Sequence, residues 1–207
     1  MADAGDLKSP GPERGHEGST PSPGTQIPIL DSGFPDHGVR VIIRAATRKD
    51  AGALVRLIRG LHSHPEHRAP RVWLLGTPAQ VLQTLMTDRA VHLLVAEANG
   101  GLQGYVAGRH EIRPRGRPRH VGYIMEAFVK PGIRRRGVGV ALVDRLLEWF
   151  EKKRVEDVSV SFVVKNRIAR SFWNRLGFRP LILKATATPG TIRRRTARFR
   201  FRSASPR

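Results

Sequence analysis

The residue types and spacings that could do chemistry gather in one stretch, Glu126-Ala-Phe-Val-Lys-Pro-Gly-Ile-Arg-Arg-Arg-Gly-Val-Gly139. An apolar strand pattern runs into a short basic turn bearing glycines, and a helical pattern follows. The first turn of a helix leaves backbone N–H groups without intrahelical partners, and the aligned peptide dipoles add partial positive charge there. Gly137 and Gly139 let an anion approach that backbone without a Cβ in the way, while Arg134, Arg135 and Arg136 add full charges. The stretch is suited to holding a phosphate, and a solvated turn between a strand and a helix reads the same way.

A second motif follows after one more helix and one more strand pattern: Asn166-Arg-Ile-Ala169-Arg-Ser-Phe172-Trp173-Asn-Arg-Leu-Gly177-Phe178. The pair resembles the GNAT superfamily of acetyl-coenzyme A dependent N-acetyltransferases. Its pyrophosphate loop, Arg/Gln-x-x-Gly-x-Gly/Ala, stands here as Arg134-Arg-Arg-Gly137-Val-Gly139. Its second signature is matched at Asn166, Ala169, Phe172, Trp173, Gly177 and Phe178. The resemblance covers roughly residues 40 to 185 and is specific for the superfamily, not for an acceptor.

The resemblance implies an α/β fold: a single GNAT-like domain with a central mixed, mostly antiparallel sheet, about four flanking helices, and a splayed strand pair that binds the coenzyme. It implies acetyl-CoA as co-substrate and a primary amine, on a small molecule or a protein, as acceptor attacking directly. Main-chain groups of Ala127, Phe128 and Val129 would meet the pantetheine and the acetyl carbonyl, Arg134 to Val140 (Arg135, Arg136, Gly137, Val138 and Gly139 included) the pyrophosphate, and Asn166 the pantetheine arm. Asn166 is also a good helix N-cap, and the two roles are compatible. Glu126 is the candidate general base, with a partly buried glutamate paired to an arginine as the plain alternative. Trp173, counted among the coenzyme contacts, stands where many members place a tyrosine that reprotonates the leaving thiolate, and indole has no proton to give at these pH values. Ser161 stands where the ribosomal-protein alanine branch carries a glutamate. A rival reading is a coenzyme-binding or RNA-associated module of the same fold that turns over weakly.

The elements that must position these residues follow from periodicity. A strand is expected over 39–46, then a helix capped by Thr47 with Asp50 reaching back, and with Leu54, Leu57, Ile58 and Leu61 as its buried stripe. A second helix over 73–86 has Thr77-Pro78 as cap and first-turn proline. Two strands, 92–97 and 103–110, meet at Asn99-Gly100-Gly101, a hairpin signal. Further strands are expected over 120–129 and 158–164, with a long amphipathic helix from Val138 between them. Asn166 opens another helix that Gly177 ends. Residues 180–186 could add a strand, and 188–207 is an Arg-rich segment, either a last strand over 196–201 or a tail.

Residues 1–38, rich in Gly, Pro and Ser, are expected to be disordered, leaving 39–187 as the transferase domain. His62, His64 and His67 with Glu66 lack the spacing of a helical metal site, so no metal is expected and contact with substrate remains open. The chain has 207 residues, no cysteine and a formal charge of +20. The missing cysteines exclude disulfides and thiolate chemistry, and no apolar run is long enough to span a membrane, so a soluble cytoplasmic monomer or homodimer is expected. The charge attracts polyanions, and nucleic acid stands as a lesser candidate partner, for which Arg113, Arg115, Arg117 and Arg119 in one Pro/Gly loop also speak.

Overall fold

The computed structural model describes residues 41–65 and 76–202, with side chains up to 197. The N-terminal 38 residues, His67, Glu66 and the expected helix start at Trp73 lie outside the described residues. The chain divides into two units, the first ending at Ser161 and the second beginning at Phe162.

The first unit contains the whole sheet. Its elements are β1 (Ile42–Ala45), α1 (Ala51–His62), α2 (Pro78–Thr87), β2 (Val91–Ala98), β3 (Gly101–Ile112), β4 (His120–Val129), α3 (Val138–Lys152) and β5 (Asp157–Val160). The strands lie in the order β1-β2-β3-β4-β5. Every pairing is antiparallel except β4 with β5, which is parallel and needs α3 as its crossover. The mixed, mostly antiparallel sheet expected from the sequence is therefore present.

Side-chain alternation along the strands assigns the two faces. Leu93, Val95, Tyr105, Ala107 and Phe128 pack with Leu54, Leu57, Ile58 and Leu61 of α1 and with Val81, Leu82 and Leu85 of α2. The opposite face meets α3. A Cβ placed on Gly108 would lie 2.7 Å from Leu146, and one on Gly122 would lie 2.9 Å from Phe150, so these glycines let the helix sit close. His92 stacks on Trp149 of α3 at 5.1 Å, on the same face.

Local chemistry explains the element ends. Gln80 N–H donates to the Thr77 hydroxyl at 3.3 Å, Thr77 N–H donates to the Gln80 side chain at 2.8 Å, and Pro78 fills the first turn of α2. Asn99 and Gly100 have φ of 51° and 71°, the left-handed pair that a tight hairpin between β2 and β3 requires. Before α1, a single 3₁₀ turn spans Arg48–Asp50, and Thr47 N–H and hydroxyl both donate to Asp50 Oδ2, at 2.7 and 2.9 Å.

The second unit holds α4 (Arg167–Arg175) and α5 (Pro189–Arg202). Three expectations are corrected. The strand expected over 158–164 ends at Val160, because its parallel partner pairs only from Val121 to Ile124. Residues 180–186 form no strand, and Leu181 and Ile182 are more than nine-tenths exposed. The segment offered as a last strand or a tail is helical from Pro189, with the Thr188 hydroxyl accepting from Thr191 N–H at 3.2 Å and proline at the first position. The described residues thus contain five α-helices where about four were expected.

Candidate active site

The site of the first unit is built on an irregularity in β4. Ala107 faces Glu126 and Gly108 faces Ile124, so Met125 is an extra residue that no β3 residue opposes. Such a bulge changes which side of the sheet the following residues present. Gly122 meets α3 on one face, whereas Met125, Glu126 and Phe128 all belong to the face that α1 and α2 cover. In a regular strand with no bulge, strict alternation would put Glu126 on the same face as Gly122.

On the α1 face, both oxygens of Glu126 are engaged. Tyr105 hydroxyl donates to Oε2 at 2.6 Å, and His62 Nε2 lies 3.0 Å from Oε1. An ionised carboxylate only accepts, so Nε2 is the nitrogen that carries hydrogen in this pair. The Glu126 side chain is 12% exposed and that of His62 20%, a half-buried pair that solvent still reaches. Tyr105 is fully buried, and burial first, then the charge of Glu126, pushes its phenol well above its ordinary range, so it stays a donor. Gly60 on α1 allows this approach: a Cβ there would lie 3.2 Å from the Phe128 ring.

The bulge also coincides with the end of the β4–β5 ladder. Beyond Ile124, β4 continues for five residues without β5 as partner. Lys130 N–H donates to the Gln103 carbonyl, and the alternation of an antiparallel ladder then turns the main-chain groups of Val129 and Ala127 toward the opposite, open edge. Arg134 Nε donates to the Val129 carbonyl at 2.8 Å on that edge, and its guanidinium lies 5.5 Å from the centre of the Phe128 ring. Arg134 thus ties the turn to the strand, while Arg135 and Arg136 are exposed.

The turn between β4 and α3 has the form of an anion cradle. Gly137 is the N-cap of α3 with φ 77°, a conformation that glycine adopts without strain, and it carries no side chain to cap the helix. Ala141 N–H reaches the Gly137 carbonyl at 2.9 Å, which leaves the N–H groups of Val138, Gly139 and Val140 in the first turn without intrahelical acceptors. No acidic side chain lies in that turn. These features fit a coenzyme diphosphate: donors, a helix dipole and two exposed guanidinium groups, with no competing carboxylate.

In the second unit, Asn166 caps α4, its side-chain oxygen accepting from Ala169 N–H at 2.9 Å. Trp173 is 5% exposed, with Phe172 at 4.8 Å and Phe178 at 5.3 Å, both edge-on. Its ring forms the centre of this unit's aromatic cluster. Gly177 closes the helix at φ 91°.

The structure brings Glu126, the β4 edge and the α3 turn together in one unit, and it adds two residues that sequence reasoning did not join to them, Tyr105 and His62. Tyr105 lies diagonally across the β3–β4 ladder from Glu126, a relation that follows only once the bulge fixes the register. His62 is the last residue of α1, and its histidine-rich segment was read for metal spacing and substrate contact instead. Among the described residues no group of three His, Asp or Glu side chains could hold a metal ion.

This combination of a bulged strand, an open parallel edge and an uncapped helix after a basic glycine turn is that of an acetyltransferase fold. The family model for the acetyltransferase (GNAT) family matches residues 58–178, and the chain belongs to that family. An uncharacterized N-acetyltransferase of Methanocaldococcus jannaschii is 37% identical over 84 residues, 41% of this chain and 37% of that protein. The chain therefore aligns with little more than a third of that relative's length. Among solved structures, a ribosomal-protein-alanine N-acetyltransferase from Brucella melitensis biovar Abortus is 19% identical, with 72% of this chain and 99% of that one covered and a TM-score of 0.58. An aminoglycoside N-acetyltransferase in complex with CoA is 18% identical, with 75% and 97% covered and a TM-score of 0.59. These structures share its fold.

Proposed function

We propose that the protein transfers an acetyl group from acetyl-CoA to a primary amine by direct attack, with Glu126 as the proton acceptor. The observation that carries this reading is the adjacency, on one strand and the turn after it, of an anchored carboxylate, an open main-chain edge and an uncapped helix N-terminus. Acetyl-CoA supplies an activated acyl group as a thioester. The N–H groups of Val138, Gly139 and Val140, with Arg135 and Arg136, hold its pyrophosphate, and the open edge at Ala127 and Val129 offers oriented main-chain donors and acceptors to the acyl arm. Within the second unit, Asn166 keeps its amide nitrogen as a donor while its oxygen caps α4, as the pantetheine role implied by the resemblance requires.

An aliphatic amine with a pKa of about 10.4 is neutral in only about one molecule per thousand near pH 7.4, so a proton must leave it. A carboxylate has about four lone-pair sites, so Glu126 retains accepting capacity beside its bonds to Tyr105 and His62. Those two bonds fix its rotamer at the rim of the α1 face, where an amine, directly or through one water, can deliver its proton. The acceptor class is a primary amine on a small molecule or a protein. The overall positive charge disfavours polycationic acceptors, since like charge opposes their approach.

A thiol-release assay across a panel of amines, run on wild type and Glu126→Gln, tests the assignment. The variant should lose at least tenfold in kcat at neutral pH with coenzyme affinity unchanged, in the range expected of a lost general base. A wild-type kcat would remove Glu126 from the chemistry, and no thiol release with any amine would remove the activity.

A further inference from the structure

We propose that the second unit is a nucleic-acid-binding surface, contacting the phosphate backbone through the exposed face of α4. From Phe162 to Arg207 the chain carries thirteen Lys and Arg and no Asp or Glu. The whole-chain excess of positive charge is thus concentrated in under a quarter of its length. Charge alone is a property of composition; its arrangement here makes a surface.

Arg167, Arg170, Ser171, Asn174 and Arg175 recur at helical spacing, so they share one face of α4, and all are exposed. Trp173 is turned to the other side. With Arg179 they line one open concavity. From Arg167 to Arg175 the helix rises about 12 Å, the axial length of three to four phosphates along one strand of a duplex.

Two of the guanidinium groups, those of Arg175 and Arg179, are oriented without being neutralised. Arg175 donates to the Ser171 hydroxyl at 3.3 Å, and Arg179 donates to the Asn174 and Phe178 carbonyls at 3.2 and 3.3 Å. No carboxylate pairs with any of these arginines among the described residues. Neutral oxygens restrict the side chains and leave their charge for an incoming anion, the arrangement that favours repeated phosphate contacts. On α5, Arg193, Arg194 and Arg195 extend the exposed positive charge of the same unit. A lipid surface would call for a broad run of apolar side chains on the same face for insertion, and the α4 face carries one exposed apolar side chain, Ile168, among its arginines, serine and asparagine.

The test uses the full chain and a fluorescent 20-nucleotide RNA, with DNA of the same sequence and phosphatidylserine vesicles as parallel arms, between about 50 and 300 mM salt. Each arginine that meets a phosphate of a single strand contributes about 0.7 to the slope of log K against log salt. Combining Arg167→Gln, Arg170→Gln and Arg175→Gln should therefore lower that slope by about 2 and weaken binding at least tenfold at the low-salt end. The corresponding three Arg→Lys changes should keep most of the slope. Photo-crosslinking of wild type to thiouridine-bearing RNA, mapped by mass spectrometry, should mark peptides within 162–202 whether or not the variants fold.

RNA tighter than DNA, or the two alike, both fit the surface, the first adding recognition of the 2′-hydroxyl. Unchanged binding by a folded glutamine variant, crosslinks confined to the 113–119 loop, displacement of all RNA by saturating acetyl-CoA, or binding to vesicles without binding to RNA would each overturn the proposal. None of these results depends on turnover, so its failure is separable from failure of the acetyl-transfer reading.

Discussion

Asp50 stands where the sheet hands the chain to α1, the helix whose far end brings His62 to Glu126. Its carboxylate accepts from Arg44 at 2.8 and 2.9 Å and from Thr47, while Arg44 also reaches Glu97. The Asp50 side chain is 9% exposed. Hydrogen bonding to the Arg44 guanidinium, ahead of the opposing cost of burial, lowers its pKa from 3.8 to about 2. One pKa unit is worth about 1.4 kcal/mol, so ionised Asp50 contributes about 2 to 3 kcal/mol to the folded state. The sign follows from a folded value below the unfolded one: the contribution is complete above pH 3.8 and is lost as pH falls toward 2. Asp50→Asn should therefore unfold more easily in urea by about 2 to 3 kcal/mol at pH 7, with the gap to wild type closing over that acid window. Stabilities that differ equally at pH 7 and pH 3, or not at all at pH 7, would refute the argument that this carboxylate anchors α1 through its charge.

Tyr105→Phe deletes the 2.6 Å donor to Glu126 in a buried place, and should cost about 1.5 to 3 kcal/mol by urea unfolding while lowering kcat; equal stability would show the bond to be dispensable. Gly137→Val forces a β-branched residue to φ 77° and puts a side chain in the anion cradle, so acetyl-CoA binding by calorimetry should fall at least tenfold with a stability loss of about 1 to 3 kcal/mol. Coenzyme affinity like that of wild type would undo the pyrophosphate assignment. Gly122→Ala places a Cβ 2.9 Å from the Phe150 ring and should destabilise by about 1 to 3 kcal/mol without changing coenzyme affinity, which thermal and binding measurements together can check.

What could be read in the sequence were the features whose causes are local. Asn99-Gly100 marks a tight hairpin because few other pairs tolerate two left-handed residues, and Thr77-Pro78 marks a helix start because both hydrogen-bonding and φ favour it. The strand, basic turn and helix around Gly137 follow from the same kind of short-range rule. What was not legible depended on partners distant in sequence. The strand after α3 stops at Val160 because its neighbour in the sheet stops pairing, and nothing in Val158 to Val164 announces that. The last arginine-rich segment chose helix over strand, since no described strand pairs with it and Thr188-Pro189 offers a cap.

The same distinction explains why half of the candidate site was visible. Glu126 was singled out through the resemblance, as an acidic residue on the strand beside the expected coenzyme-binding groups, but its surroundings depend on Met125, one residue in excess of the ladder. That residue does two things at once. It rotates Glu126 onto the α1 face, where His62 and Tyr105 hold it, and it sits where parallel pairing to β5 ends, so the main-chain edge opens beside the carboxylate. An apolar methionine within an apolar strand looks the same whether it is paired or bulged, since its local preference is unchanged. The geometry that joins the Glu126 carboxylate to the open main-chain edge is therefore a property of register, set by the whole β3–β4 ladder and the helices packed on its two faces.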